Sequence, residues 1–188
     1  SGYVALLMAL EFRKSVARIS GLYFLQGLFD RRGPVAIRSR RILWVLPSQD
    51  EEERLRGFLA REDFDMDRQG FYQAPFYAKA EDFEDAALWK LAEEFSPEWV
   101  IVCIGGGRQE KLACRMRGHF QRRFRIACTG AAIAFFTGGQ ARIPTWADRM
   151  CLGWLFRIFE NPKVFVRRYF QALKLPLVLR KARGSLAG

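Results

Sequence analysis

Twice along the chain a short apolar run breaks at glycine, proline or serine and gives way to a charged amphipathic segment. "RILWVL", residues 41 to 46, ends at Pro47 and Ser48 and is followed by "QDEEERLRGFLARE"; "EWVIVCI" runs into Gly105-Gly106-Gly107 and is followed by "RQEKLACRMRGHF". A third run, "FRIACTG", ends at Gly130. Apolar runs of this length suit strands buried on both faces, and the segments after them carry helical spacing. Strand and helix in alternation predict an α/β fold: a Rossmann-like, mainly parallel sheet with flanking helices.

The remaining segments fit around that unit. Residues 5 to 30 read mostly as helix, with a break near Ser20-Gly21. Residues 82 to 95 read as a helix ended by Ser96-Pro97, whereas residues 63 to 80, rich in Asp, Phe and Tyr, read as a loop with at most one edge strand. Ser48 is placed to cap a helix whose early carboxylates suit the N-terminal dipole. Beyond Trp146 the pattern changes to basic amphipathic helix, once to Phe159 and again from Pro162 to about Leu175. The expected organisation is an α/β domain over residues 1–145 and a C-terminal helical appendage over residues 146–188.

Charge separates the two regions. The net +11 is uneven: residues 50–98 hold 15 acidic and 6 basic side chains, and residues 140–188 hold 10 basic and 2 acidic. The surplus attracts polyanions, anionic lipid or phosphorylated substrates without choosing a fold. Nucleic acid ranks third among these, because no recognition motif accompanies the basic tail. Cys103, Cys114, Cys128 and Cys151 lack zinc-module spacing and read as reduced thiols, and the lone His119 reads as a surface or satisfied histidine. No metal and no cofactor is expected. Ser1 to Leu10 carries no signal-peptide pattern, and no run reaches the roughly 18 apolar residues of a spanning helix, so membrane contact is expected to be peripheral.

Two loops are candidates for chemistry. Gly105, Gly106 and Gly107 follow a strand at the edge where open sheets gather ligands, and a helix N-terminus behind them offers N–H groups to phosphate. Neither the dinucleotide fingerprint nor the P-loop lysine is present, so a phosphate or sugar-nucleotide site and a structural turn both fit. Arg108 suits phosphate, and Gln109 and Glu110 suit sugar hydroxyls. The second loop, "CTGAAIAFFTGG", allows close approach from Gly130 to Ala132, while Phe135 and Phe136 read as core. It contains no acid or base. Arg142, Arg149, Arg157, Lys163, Arg167 and Arg168 then line the tail, where a solvated face, lipid or phosphate, and nucleic acid are the alternatives.

The motifs from about Ser96 to Tyr169 resemble the bacterial WecG/TagA/CpsF glycosyltransferases. The family's Gly-x-Pro-Lys-Gln-Glu loop corresponds to Gly105-Gly106-Gly107-Arg108-Gln109-Glu110. Its Gly-x-x-x-Arg-Ala-Pro-x-Trp corresponds to Gly138 and then Arg142-Ile143-Pro144-Thr145-Trp146. Its Glu-Trp-Leu-x-Arg, Glu-x-Pro and Arg-Arg-Tyr correspond to Gly153-Trp154-Leu155-Phe156-Arg157, Glu160-Asn161-Pro162 and Arg167-Arg168-Tyr169. Upstream, "ARISG" resembles the family's Arg-Val-Thr-Gly, with Arg18 and Gly21 kept.

The resemblance implies transfer of N-acetylmannosamine or its uronic acid from a UDP donor to a polyprenyl-diphosphate-linked saccharide in cell-surface polysaccharide synthesis. The reaction would invert the anomeric centre. The location implied is cytoplasmic, at the inner face of the plasma membrane. Substrate contacts would come from Gly105, Gly106, Arg108, Gln109, Glu110, Gly130, Arg142 and Arg157, and lipid or diphosphate contacts from Lys163, Arg167 and Arg168. A second copy of the chain, or another polysaccharide-synthesis protein, is a further candidate partner. Several family carboxylates are replaced: Phe-Asp by Ile133-Ala134, Glu-Trp by Gly153-Trp154, the aspartate after Thr-Gly by Tyr23, and the proposed catalytic base by Ser1. No catalytic residue is therefore assigned, and a catalytically degenerate homologue serving as partner or scaffold stands as the alternative.

Overall fold

Helix α1 (Gly21–Phe29) begins where the sequence predicts a break, because Ser20 adopts an extended backbone and its Oγ accepts the Tyr23 N–H at 3.1 Å. The computed structural model describes residues 20–30, 37–120 and 124–139. All of them lie in one of the chain's two units, Ile19–Ala141. The expected boundary near residue 145 and the tail helices lie outside the described residues.

Strand β1 (Ile42–Leu46) is buried at every position. Ser48 then caps helix α2 (Gln49–Arg61), its Oγ accepting the Glu51 N–H at 3.4 Å, with Asp50, Glu51 and Glu52 in the first turn. Strand β2 (Gln69–Gln73) follows, then helix α3 (Ala86–Phe95), strand β3 (Trp99–Val102), helix α4 (Arg108–His119), strand β4 (Arg125–Cys128) and the short helix α5 (Ala134–Thr137). The four strands form one sheet in the order β2-β1-β3-β4, and every pairing is parallel. The fold is α/β, as the alternation predicts.

Two refinements concern the segments without clear periodicity. Residues 63 to 80 do hold a strand, β2, paired with β1 from Ile42↔Gln69 to Leu46↔Gln73. The helix expected from residue 82 begins at Ala86, because Asp85 is its N-cap and Glu81–Phe83 forms a separate 3-10 turn.

Alternation along each strand divides the core in two. Leu43, Val45, Val100 and Val102 meet Leu88, Trp89 and Ala92 of α3 and Leu112 and Met116 of α4. Trp44 belongs to an aromatic group beyond the sheet's other face: its ring stacks on Phe29 at 6.4 Å, and Phe29 in turn meets Phe58, Phe64 and Phe136. The Trp44 indole N–H donates to Gln69 Oε1 at 3.0 Å, while Gln69 Nε2 donates to the carbonyls of Arg40 and Asp65. That buried amide ties polar β2 to the sheet, where apolar pattern alone would not.

Gly21 shows how closely α1 approaches the loop after β4. A Cβ on it would lie 2.5 Å from the Thr129 carbonyl oxygen, a backbone atom that cannot swing aside. Gly21→Ala is expected to cost about 1–3 kcal/mol through overpacking. Urea unfolding checks this: a midpoint equal to that of the parent would show that α1 can shift freely.

Candidate functional site

The chain leaves β1 for β2 on one side and returns to place β3 on the other, which creates a topological switch point between the carboxyl ends of β1 and β3. Open parallel sheets bind ligands in the crevice outside such a point. A cleft of about 110 Å³ opens at this edge, lined by Pro47 after β1, Ala74, Pro75, Phe76 and Tyr77 after β2, and Ile104, Gly105 and Arg108 after β3. Complete small-molecule sites run to about 300–1,000 Å³, so this cleft by itself is smaller than one.

One wall combines an exposed aromatic ring with a cation. Phe76 is 72% exposed, and the Arg108 guanidinium lies 3.9 Å from its ring centroid. Stacking holds the guanidinium flat while leaving its edge N–H groups available to an anion. The segment carrying Phe76 is pinned by two aspartates. Asp82 Oδ2 accepts the Ala78 and Lys79 N–H groups at 2.7 and 2.8 Å. These backbone bonds, the one from Lys79 first, hold its carboxyl below the usual carboxylate range. Asp85, nearly buried, accepts the hydroxyls of Tyr72 and Tyr77 at 2.7 Å and caps α3 through the Leu88 N–H at 3.0 Å. Tyr77 also stacks on Phe83 at 5.1 Å, so the cleft wall and the core share one ring pair.

The glycine loop contributes Gly105 to the cleft. Gly107 has φ +89°, a conformation that glycine adopts without Cβ strain, and it is the N-cap of α4. Its N–H donates to Glu110 Oε2 at 2.5 Å, so a carboxylate of the chain itself occupies that helix-terminal donor. Gln109 is only 6% exposed and links the two candidate loops: Oε1 accepts the Gly130 N–H at 2.7 Å and Nε2 donates to Glu110 Oε1 at 2.9 Å. Gly130, at φ +60°, is thereby fixed relative to α4. Of the residues that sequence reasoning singles out, Gly105 and Arg108 line the cleft, Gly106 is exposed beside them, and Gln109, Glu110 and Gly130 form the bonded frame behind. Arg142, Arg157, Lys163, Arg167 and Arg168 lie outside the described residues.

Sequence reasoning missed Pro47, Phe76 and Tyr77. Proline directly after an apolar strand, and a Pro-Phe-Tyr run in a segment of no clear period, were the available signals. Phe135 is buried and Phe136 packs 4.9 Å from Phe29, as expected of core residues. Ile133 and Ala134 are also buried, at 2% and 3% exposure. The His119 side chain is part-exposed and stacks on Trp89 at 5.2 Å, a surface role. Among the described residues no group of three or more His, Cys, Asp or Glu could hold a metal ion.

The thiols near the site are poor nucleophiles at neutral pH. Burial pushes Cys103 up to about 12, partly offset by its contact with Thr129 Oγ1 at 3.5 Å and reinforced by the Glu51 and Cys128 charges. Cys128 reaches the surface and is raised less, up to about 11, by partial burial and then by the Glu110 charge. Tyr72 and Tyr77 are raised as well, by burial first and then by bonding to Asp85. Groups whose folded pKa is raised stabilise the fold fully below their unfolded values and lose that contribution as pH climbs through the folded ones. The urea midpoint should therefore hold up to about pH 9 and fall steadily beyond it. The fall should be shallower in Cys103→Ala, and an unchanged slope would show that this thiol is not shielded.

Three comparisons bear on this geometry. The family model described as "Glycosyl transferase WecG/TagA/CpsF family" matches residues 1–187. The N-acetylglucosaminyldiphosphoundecaprenol N-acetyl-beta-D-mannosaminyltransferase of Bacillus subtilis (strain 168) is 33% identical over 67 residues, which is 36% of this chain and 26% of that protein. The matched stretch thus spans about a quarter of the relative's length. No solved structure matches the chain.

Proposed function

The chain belongs to the WecG/TagA/CpsF glycosyltransferase family, and from that premise we propose that it transfers N-acetylmannosamine, or its uronic acid, from a UDP donor to a polyprenyl-diphosphate-linked saccharide. The observation that carries this reading is the switch-point cleft, lined by the stacked Arg108 and by Gly105 of the glycine loop. The Phe76 ring offers a planar surface to uracil. The Arg108 edge suits the adjoining diphosphate, where it would stabilise the charge that grows as UDP departs.

The acceptor hydroxyl attacks the anomeric carbon on the face opposite the leaving UDP, and the configuration inverts. By the family resemblance, Arg142 and Arg157 would bind substrate, and Lys163, Arg167 and Arg168 would bind the acceptor's diphosphate or lipid headgroups. The protein works at the inner face of the plasma membrane. Among the described residues no helix is long and apolar enough to cross a membrane. The name of the B. subtilis relative, an N-acetyl-beta-D-mannosaminyltransferase acting on N-acetylglucosaminyldiphosphoundecaprenol, supports the choice of transferred sugar and acceptor.

A second reading, a catalytically degenerate partner of another polysaccharide enzyme, is favoured by one observation. Ile133 and Ala134, where the family has Phe-Asp, are packed as apolar core.

Calorimetry with UDP and UDP-N-acetylmannosamine, followed by an acceptor analogue and an assay for released UDP, separates the two. Binding with acceptor-dependent release supports the transferase, and binding without release supports the degenerate partner. No binding overturns both uses of the cleft.

A further inference from the structure

The segment between β2 and α3 brings Phe76 to the cleft with little backbone pairing of its own. Among the described residues, backbone-to-backbone bonding ends at Ala74, whose N–H donates to the Leu46 carbonyl at 2.8 Å, and resumes at Phe83, whose N–H donates to the Ala80 carbonyl at 3.4 Å. Pro75 has no N–H to give. Phe76 is 72% exposed, so burial does not fix its ring either.

Asp82 fills that gap. One oxygen, Oδ2, accepts the Ala78 and Lys79 N–H groups, so a side chain closes the turn where backbone pairing does not. Asp82 itself stands on a fixed base: its neighbour Phe83 is 5% exposed and stacks on Tyr77, and Asp85 caps α3 just beyond. The amides that Asp82 holds follow directly on Tyr77, which is buried, and Phe76, which lies under the Arg108 guanidinium. Fixing those amides fixes the backbone that aims the Phe76 ring. Asp82 does not line the cleft, so its influence on the site runs through that backbone.

We propose that Asp82 is a positioning residue for the nucleotide: its two backbone bonds hold Phe76 in the orientation that receives the base and supports Arg108. This role rests on the UDP-sugar reading above. UDP binds only those molecules in which the ring is aimed correctly, so releasing the turn weakens the apparent affinity in proportion to the competent fraction lost. Phe76 and Arg108 touch the ligand; Asp82 acts at a distance from it.

The test is calorimetry with UDP on the full chain, its Asp82→Ala, Asp82→Asn and Phe76→Ala variants, and the Asp82→Ala/Phe76→Ala double variant. Asp82→Ala should weaken UDP about three- to tenfold, as expected when the competent fraction drops to about a third to a tenth. Asp82→Asn keeps a side-chain carbonyl for the two amides and should bind close to the parent. The same variant separates geometry from charge. If Asp82 acted only as a negative charge near the diphosphate, both substitutions would remove it and both would strengthen binding. In the Phe76→Ala background, Asp82→Ala should have no further effect, because the ring through which it acts is gone.

Measurements without ligand show whether the turn or the whole fold has been released. The urea midpoint of Asp82→Ala should stay near that of the parent, since the side chain is exposed. Trypsin should cut after the exposed Lys79 faster in Asp82→Ala than in the parent or in Asp82→Asn. A lowered midpoint with unchanged cutting at Lys79 would overturn the inference. So would parent-like UDP affinity in Asp82→Ala, an Asp82→Asn as weak as Asp82→Ala, or losses that add in the double variant, each of which leaves the donor reading standing. A parent that binds no UDP overturns the donor reading and this role of Asp82 together.

Discussion

Asp85→Ala is expected to lower the stability of the α/β unit by about 4 kcal/mol, because one substitution removes a helix cap and leaves two tyrosine hydroxyls without their charged acceptor. The carboxylate bonds to Tyr72 on β2, to Tyr77 in the cleft wall and to the Leu88 N–H at the start of α3. Three elements meet at this one side chain. Asp85→Asn keeps an acceptor for the cap and should cost clearly less. Urea unfolding followed by tryptophan fluorescence measures both, and equal small losses would show that the tyrosines find other partners. The same change should loosen the cleft, since Tyr77 lines it.

The second large effect is expected in binding. Arg108→Ala should weaken UDP about 10- to 100-fold, through loss of a charge-assisted contact to the diphosphate. Arg108→Lys should recover only part of this, since lysine keeps the charge but neither the planar stack on Phe76 nor the forked donors. Phe76→Ala should also weaken UDP, by removing both the proposed uracil surface and the arginine's platform. Calorimetry on the three variants decides the matter. Parent-like affinity in Arg108→Ala and Phe76→Ala would place the nucleotide elsewhere in the protein.

Legibility differed between neighbouring segments for identifiable reasons. β1 and β3 were readable as strands because both are covered on two faces and so must be apolar throughout. Serine before a run of acids located the start of α2, a local effect of unpaired N–H groups at a helix end. The glycine loop and Arg108 were readable as a candidate site because strand, glycine and helix in succession have geometric consequences within a few residues. β2 was not clearly readable. Gln69, Gly70 and Gln73 carry little strand signal, and their pairing depends on β1, more than twenty residues away.

The same distinction applies inside the site. Gln109 was expected to face a sugar, yet its amide spans two loops; nothing in its own segment encodes where Gly130 will be. Phe76 and Tyr77 looked like loop aromatics until the parallel pairing of β2 brought them beside Ile104 and Arg108.

The sequence by itself determined the class of fold, the order of most elements, the caps and the glycine turns, because each depends on burial pattern or backbone chemistry acting over a few residues. Only the tertiary structure decided the strand order, the switch-point cleft and the partners of Asp85 and Gln109. Those depend on contacts between residues far apart in the chain, and short-range periodicity carries no information about them.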